Sequence, residues 1–192
     1  MQTTLLWAGL EHQSLEHCLI TASATGFEIH SVVVGLADLG PYRVDYTIRT
    51  DAYWQTTDCQ LLTLLNTQTR HLHLRRDESG NWLANDEEMT AYRGCTDVDI
   101  SLTPFTNTLP INRLRLADGQ TQRIHVVYID VLAQQTAAVH QRYTRRSATT
   151  YQYENVPNDF EATITVDGAG LVVDYPGLFT RQAPSQTGQW VN

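Results

Sequence analysis

The sequence predicts an all-β protein whose antiparallel strands curl on themselves or stack in two contacting layers. Three observations predict it. Apolar and polar residues alternate with period two along most of the chain, short Gly-containing turns separate the alternating runs, and several runs are apolar on both faces.

Taken in chain order, "SVVVG" (31–35) is a two-sided apolar strand. "YRVDYTIRT" sets Tyr42, Val44, Tyr46 and Ile48 against Arg43, Asp45, Thr47 and Arg49, the mark of a half-buried strand. "LLTLL" (61–65) is again two-sided, and "RHLHLRR" alternates Leu72 and Leu74 with His71, His73 and Arg75. The turn "DESGN" pairs that run with "NWLA" as a hairpin. "DVDISL" alternates, so Asp97 and Asp99 share one face and Val98 and Ile100 the other. In "TPFTNTLP", Thr103 suits an N-cap and Pro104 a first helical position, while Leu109 before a proline disfavours helix. The segment therefore reads as one short turn over 104–108. "INRLRL" reads as a strand joined through "ADGQ" to "QRIHVVYIDVL", with Arg113 and Arg115 on one face. "ATITV" and "LVVDY" form a last hairpin across "DGAG", with Phe160, Ala162, Ile164 and Val166 on one face. Sequential hairpins imply a meander of about a dozen strands with a small helical contribution. No linker, repeat or low-complexity segment divides residues 1–192, which read as a single domain with a flexible polar tail over 180–192.

Composition excludes several function classes. Apolar residues make up 42% and charged residues 18%, an ordinary globular mix. The formal net charge of -8 repels phosphate backbones and anionic head groups, so neither nucleic acid nor a membrane surface is expected as a partner. All 13 basic residues are arginine, which removes Schiff-base chemistry and a phosphate-binding lysine. Cys18, Cys59 and Cys95 are scattered and odd in number, which predicts reduced thiols and a cytoplasmic location. No signal-like or membrane-spanning apolar run is present, so membrane insertion is not expected.

The richest stretch for chemistry is Asp97 to Arg115. Carboxylates accept from hydroxyls, Asn107 donates and accepts, and Arg113 donates as a fork, a set that fits a polyhydroxylated head group at the mouth of an apolar cavity. The structural alternative is a corner in which an acid pairs with Arg113 and the threonines satisfy backbone. The enzymatic alternative is a hydrolase of a glycosylated or esterified lipid. Asp97 and Asp99, with Cα atoms roughly 6.6 Å apart on a strand, would be the catalytic pair, since glycosidase carboxyls stand about 5–5.5 Å or 6.5–9.5 Å apart. A third alternative is a non-catalytic protein-interaction module, marked by an exposed apolar patch in place of a cavity.

The same residues carry a resemblance. "GCTDVDISLTPFTNTLPINRLRL" (94–116), "QRYT" (141–144) and "VDGAGLVVDYPGLFTR" (166–181), with "LLWAGL", "LEHCLI" and "YRVDYTIRTDAYW" earlier, make the chain similar to a bacterial family described as "putative glycolipid-binding". The resemblance runs over nearly the whole chain. It implies antiparallel strands rolled in a spiral around an internal hydrophobic pocket, and binding of a glycolipid-like molecule in place of a known reaction. The positions matching the family's polar pattern are Glu16, Trp54, Asp97, Asp99, Thr103, Asn107, Arg113, Arg142 and Tyr143. The family's usual arginine before Arg113 is Asn112 here, which removes one charge from any anion-binding argument.

Other candidates are weaker. His71 and His73 share a strand face but lack a third ligand nearby, so no metal is expected, and no cofactor is indicated. His125 and His140 read as isolated strand residues, and Cys95 after Gly94 as the one loop thiol. Basic and aromatic residues interleave from Tyr143 to Tyr153, but the acidic net charge and short patch make that run a solvated face, with the tyrosines as cross-strand packing.

Overall fold

The computed structural model describes residues 1–157, 159–183 and 186–188. The alternating runs become β1 (Gln2–Gly9), β2 (Ser14–Ala22), β3 (Gly26–Ala37), β4 (Gly40–Asp51), β5 (Thr56–Leu65), β6 (Gln68–Arg76), β7 (Trp82–Ala84) and β8 (Glu87–Glu88). After β9 (Asp97–Ile100) comes a helix, α1 (Thr108–Leu114). The chain then forms β10 (Thr121–Asp130), β11 (Gln135–Ser147), β12 (Thr150–Val156), β13 (Glu161–Val166), β14 (Val172–Tyr175), β15 (Phe179–Arg181) and β16 (Gln186–Gly188). All sixteen strands belong to one sheet, in the order β8 back to β1, then β15 back to β9, with β16 also on β1. Two meanders are therefore sewn together where β1 meets β15, with Trp7 opposite Arg181. The sheet does not close. It rolls until β9, at one edge, lies inside against β5.

Alternation decides which face each strand buries. Along β2, Ser14, Glu16, Cys18 and Ile20 point inward and Leu15 and His17 outward. Along β4, Tyr42, Val44, Tyr46 and Ile48 are buried, as their pattern requires. The two-sided sequence of β10 has a structural reason. Val127 and Ile129 pack with Trp7, Ile29, Ile48, Leu74 and Trp82, while Ile124 and Val126 pack with Tyr143, Tyr153, Ile164 and Val172. The β9–β10 layer is thus a wall between two apolar cores, and each fully buried side chain there contributes about 1.5–3 kcal/mol. Trp7 crosses between the halves of the sheet by donating its indole N–H to the Val172 carbonyl at 2.9 Å.

One expectation is corrected. Residues 111–116 do not form a strand hairpinned to β10. A 3-10 turn (Phe105–Asn107) runs into α1, which continues through Leu114 and ends at Arg115 in the left-handed conformation, with φ 47°. Pro110 is tolerated because it falls in the first turn of α1, where a backbone N–H has no intrahelical acceptor to lose. Thr103 does act as a cap: its Oγ1 accepts the Phe105 N–H at 3.0 Å. The helix then makes β9 parallel to β10, with Asp97 opposite Val126 and Asp99 opposite Tyr128, since a parallel pair needs such a crossover. Of the segment expected as a tail, Thr180 and Arg181 lie in β15 and Gln186–Gly188 pair with β1; residues 184, 185 and 189–192 lie outside the described residues.

Candidate functional site

Asp97 and Asp99 share a face of β9, as their spacing requires, but they have different surroundings. Asp97 is fully buried and held by Arg113, Nε to Oδ1 at 3.1 Å and Nη2 to Oδ2 at 2.5 Å. Asp99 accepts from the Thr106 hydroxyl at 2.9 Å and from the Gln141 amide at 2.6 Å. Burial pushes both carboxyls above their ordinary range, opposed at Asp97 by Arg113 and at Asp99 by its two donors.

The two acids do not share a cavity. A cavity of about 760 Å³ opens between the two halves of the sheet. Asp99, Thr103, Asn107, Tyr128 and Ser14 line it, but Asp97 and Arg113 do not. The catalytic-pair reading therefore loses its second carboxylate, which is spent on fixing α1 to β9. Among the buried lining residues, Ser14, Leu102, Thr103 and Asn107 form the floor and Tyr153 and Tyr175 a side, while the exposed Glu11, Pro157, Asp159 and Phe160 form the mouth. The polar cluster is therefore at the deep end, whereas the sequence reading placed it at the mouth. Asn107 accepts from the buried Tyr143 hydroxyl at 2.8 Å, and its amide N–H reaches only the Pro104 carbonyl at 3.4 Å. A donor is left for a ligand. One wall is aromatic: Tyr153, Phe160, Tyr175 and Phe179 meet at ring-centroid distances of 6.1–6.3 Å. Such a floor and wall can hydrogen-bond a polyol and stack on its apolar face.

Behind the floor lies Glu16, 2% exposed. Ser31 (2.7 Å), Tyr46 (2.6 Å) and Thr103 (2.9 Å) all donate to its Oε1, while Oε2 is buried without a partner. Burial pushes Glu16 up to about 7 against the pull of those three hydroxyls. The seam is built by two tyrosines of β4 that cross small residues of β3. Tyr46 passes over Ser31 to reach Glu16, and Tyr42 passes over Gly35 beside Ser14. A Cβ on Gly35 would stand 2.5 Å from the Tyr42 hydroxyl, so only glycine leaves room for the crossing.

Of the residues named from sequence, the fold brings together Glu16, Asp99, Thr103, Asn107 and Tyr143, with Asp97 and Arg113 directly behind. Trp54 and Arg142 do not line this cavity. Trp54 stacks on Phe27 at 3.8 Å in the β4–β5 turn, with φ 65°, and Arg142 pairs with Glu154. His73 bonds Asp58 at 2.6 Å, and no group of metal-ligating side chains is found among the described residues. His125 and His140, read as isolated, stack on each other at 4.1 Å. Burial holds the Cys95 thiol up at about 11, which makes it a poor nucleophile. The chain also exposes Leu15 beside Val34, aliphatics paired across β2 and β3. Sequence reasoning missed Gln141 as a partner of Asp99. Its signal was present, because Gln141 and Tyr143 are two apart on one strand face. The aromatic wall gave no comparable signal, because its members come from two separate hairpins, β12–β13 and β14–β15.

This geometry can be set beside known proteins. A family model described as "Putative glycolipid-binding" matches residues 4–181. The chain belongs to that family. The solved structure of a DUF1089 family protein from Pseudomonas aeruginosa is 39% identical, with a TM-score of 0.78 over 86% of this chain and 91% of that one. A structure described as a beta-barrel-like protein of DUF1849 from Brucella abortus is 8% identical, with a TM-score of 0.48 over 94% of this chain and 93% of that one. No curated protein matches. The family's matched span takes in both meanders, β9 and α1, and so the whole lining of the cavity.

Proposed function

We propose that this member of the glycolipid-binding family holds an uncharged amphiphile in the cavity between the two meanders, its hydroxylated head group innermost and its apolar part toward the mouth. The observation that carries this reading is that Asp99, Thr103 and Asn107 share one cavity of about 760 Å³ with an aromatic wall. That volume falls within the roughly 300–1,000 Å³ of small-molecule sites. Charge selects the head group. Glu16, Asp97 and Asp99 are enclosed, and only Arg113, already taken by Asp97, stands among them as a directly bonded cation. An anionic head group would meet like charge at the floor, whereas sugar hydroxyls donate to Asp99 and accept from Asn107. Tyr153, Tyr175 and Phe179 would take the apolar sugar face and the first methylenes.

The test is denaturing extraction of the purified protein followed by mass spectrometry, together with calorimetric titration of octyl β-glucoside. The expected result is a co-extracted glycosylated amphiphile, or saturable binding of the glucoside at one site. Absence of both overturns the reading.

A further inference from the structure

Glu16 is buried at the back of the cavity floor without a counter-charge. The groups facing it are Trp7 on β1, Cys18 on its own strand, Ser31 on β3, Tyr42 and Tyr46 on β4, and Thr103 before the 3-10 turn. None of these is a cation, and burial pushes Cys18 and Tyr46 far above neutrality, so Glu16 is the group there that changes charge. When it is ionised, the hydroxyl hydrogens of Ser31, Tyr46 and Thr103 are all committed to Oε1. Thr103 then accepts from the Phe105 N–H and has no hydrogen left for the cavity it lines. When Glu16 is neutral, its proton is better held on Oε1 than on Oε2, because no acceptor stands near Oε2. One of the three hydroxyls must then turn from donor to acceptor. Ser31 has the His17 carbonyl at 3.1 Å as an alternative acceptor, and Tyr46 has Thr103 at 3.2 Å. The alternative for Thr103 is the cavity.

We propose that Glu16 is a positioning residue that decides, through Thr103, whether the cavity floor offers a hydroxyl donor, and that a ligand placing an ether or carbonyl oxygen on Thr103 draws protons from solvent onto Glu16. The inference rests on the amphiphile-binding reading and adds a direction to it: the preferred head group presents an acceptor oxygen at its inner end, and binding tightens as pH falls. The position of Glu16 near 7 places the change in the neutral range.

Two measurements test this. Infrared difference spectra of the ligand-free protein read the protonated carboxyl band. The band should disappear with a midpoint near pH 7, be absent in Glu16→Gln, and shift to higher pH in Ser31→Ala, which removes a donor from the carboxylate. Titration of octyl β-glucoside in buffers of different ionisation enthalpy reads proton uptake. Affinity should fall about fivefold to tenfold between roughly pH 6 and roughly pH 8, with net uptake of about half a proton near the midpoint. Glu16→Gln and Thr103→Val should both flatten this profile, the second without removing the infrared titration. A band that does not titrate overturns the inference, as does a pH profile unchanged in either variant. Binding of the glucoside with no pH dependence overturns the inference alone, whereas no binding at any pH overturns the amphiphile reading along with it.

Discussion

Arg113 grips Asp97 with two hydrogen bonds, Nε to Oδ1 and Nη2 to Oδ2, and this pair separates structural from ligand-facing chemistry at the site. The carboxylate has no exposed surface, and the guanidinium side chain keeps 16%. By tying the last turn of α1 to the first residue of β9, the pair closes the crossover that makes β9 parallel to β10. Asp99, two residues on, is left to face the cavity.

Removing the guanidinium should leave a buried carboxylate unpaired. Arg113→Ala is expected to lower stability by about 3–5 kcal/mol in urea denaturation. A loss below roughly 1 kcal/mol would mean that the pair is not the clamp its geometry implies.

The two acids should separate in a mutant comparison. Asp99→Asn keeps its shape and can still accept from Thr106, so its stability should change by about 1 kcal/mol, while the dissociation constant for octyl β-glucoside rises roughly tenfold. Asp97→Asn should do the reverse, with a clear loss of stability and an unchanged dissociation constant. Equal effects on binding from both substitutions would contradict the separation.

The raised carboxyl of Glu16 makes stability depend on pH. Its folded value, about 7, exceeds the ordinary 4.5, so between those values the unfolded chain releases a proton that the folded chain retains. The stability that Glu16 contributes is therefore full below about pH 4.5, falls as pH rises toward 7, and is lost above it, up to about 3 kcal/mol in total. Glu16→Gln should remove this slope. The check is urea midpoints across the range for both proteins, and parallel curves would show that Glu16 does not titrate there.

Gly35 should not tolerate a side chain. A Cβ there would stand 2.5 Å from the Tyr42 hydroxyl and 2.8 Å from Ser14 Cβ, so Gly35→Ala must push a buried ring or strand β2 aside. The expected loss is about 1–3 kcal/mol. Because Ser14 lines the cavity floor, weaker glucoside binding should accompany it. A variant as stable as the parent would show that Tyr42 moves freely.

Much of the sheet was legible because alternation is a local property. Val44, Tyr46 and Ile48 declare their buried face by spacing alone, and β6 and β7 declare their hairpin by the turn between them. The segment 108–116 was not legible, because its signals conflict. "INRLRL" alternates like a strand and Pro110 warns against helix, yet the helix wins because Leu109 and Ile111 pack into the two cores and Pro110 falls where it costs no hydrogen bond. Tertiary packing overrode a local preference there.

At the site the division is similar. That Asp97 and Asp99 share a face, that Thr103 caps a turn, and that Asn107 and Arg113 accompany them can be read locally, because strand and helix periodicities act over a few residues. Long-range packing assigns Asp97 to Arg113 and Asp99 to the cavity. It also brought Glu16, 87 positions away from Thr103, to the back of the floor, and the aromatic wall to its side. Those relationships depend on how far the sheet rolls before β9 meets β5. The roll is set by the packing of both cores at once, and no short stretch of sequence records it.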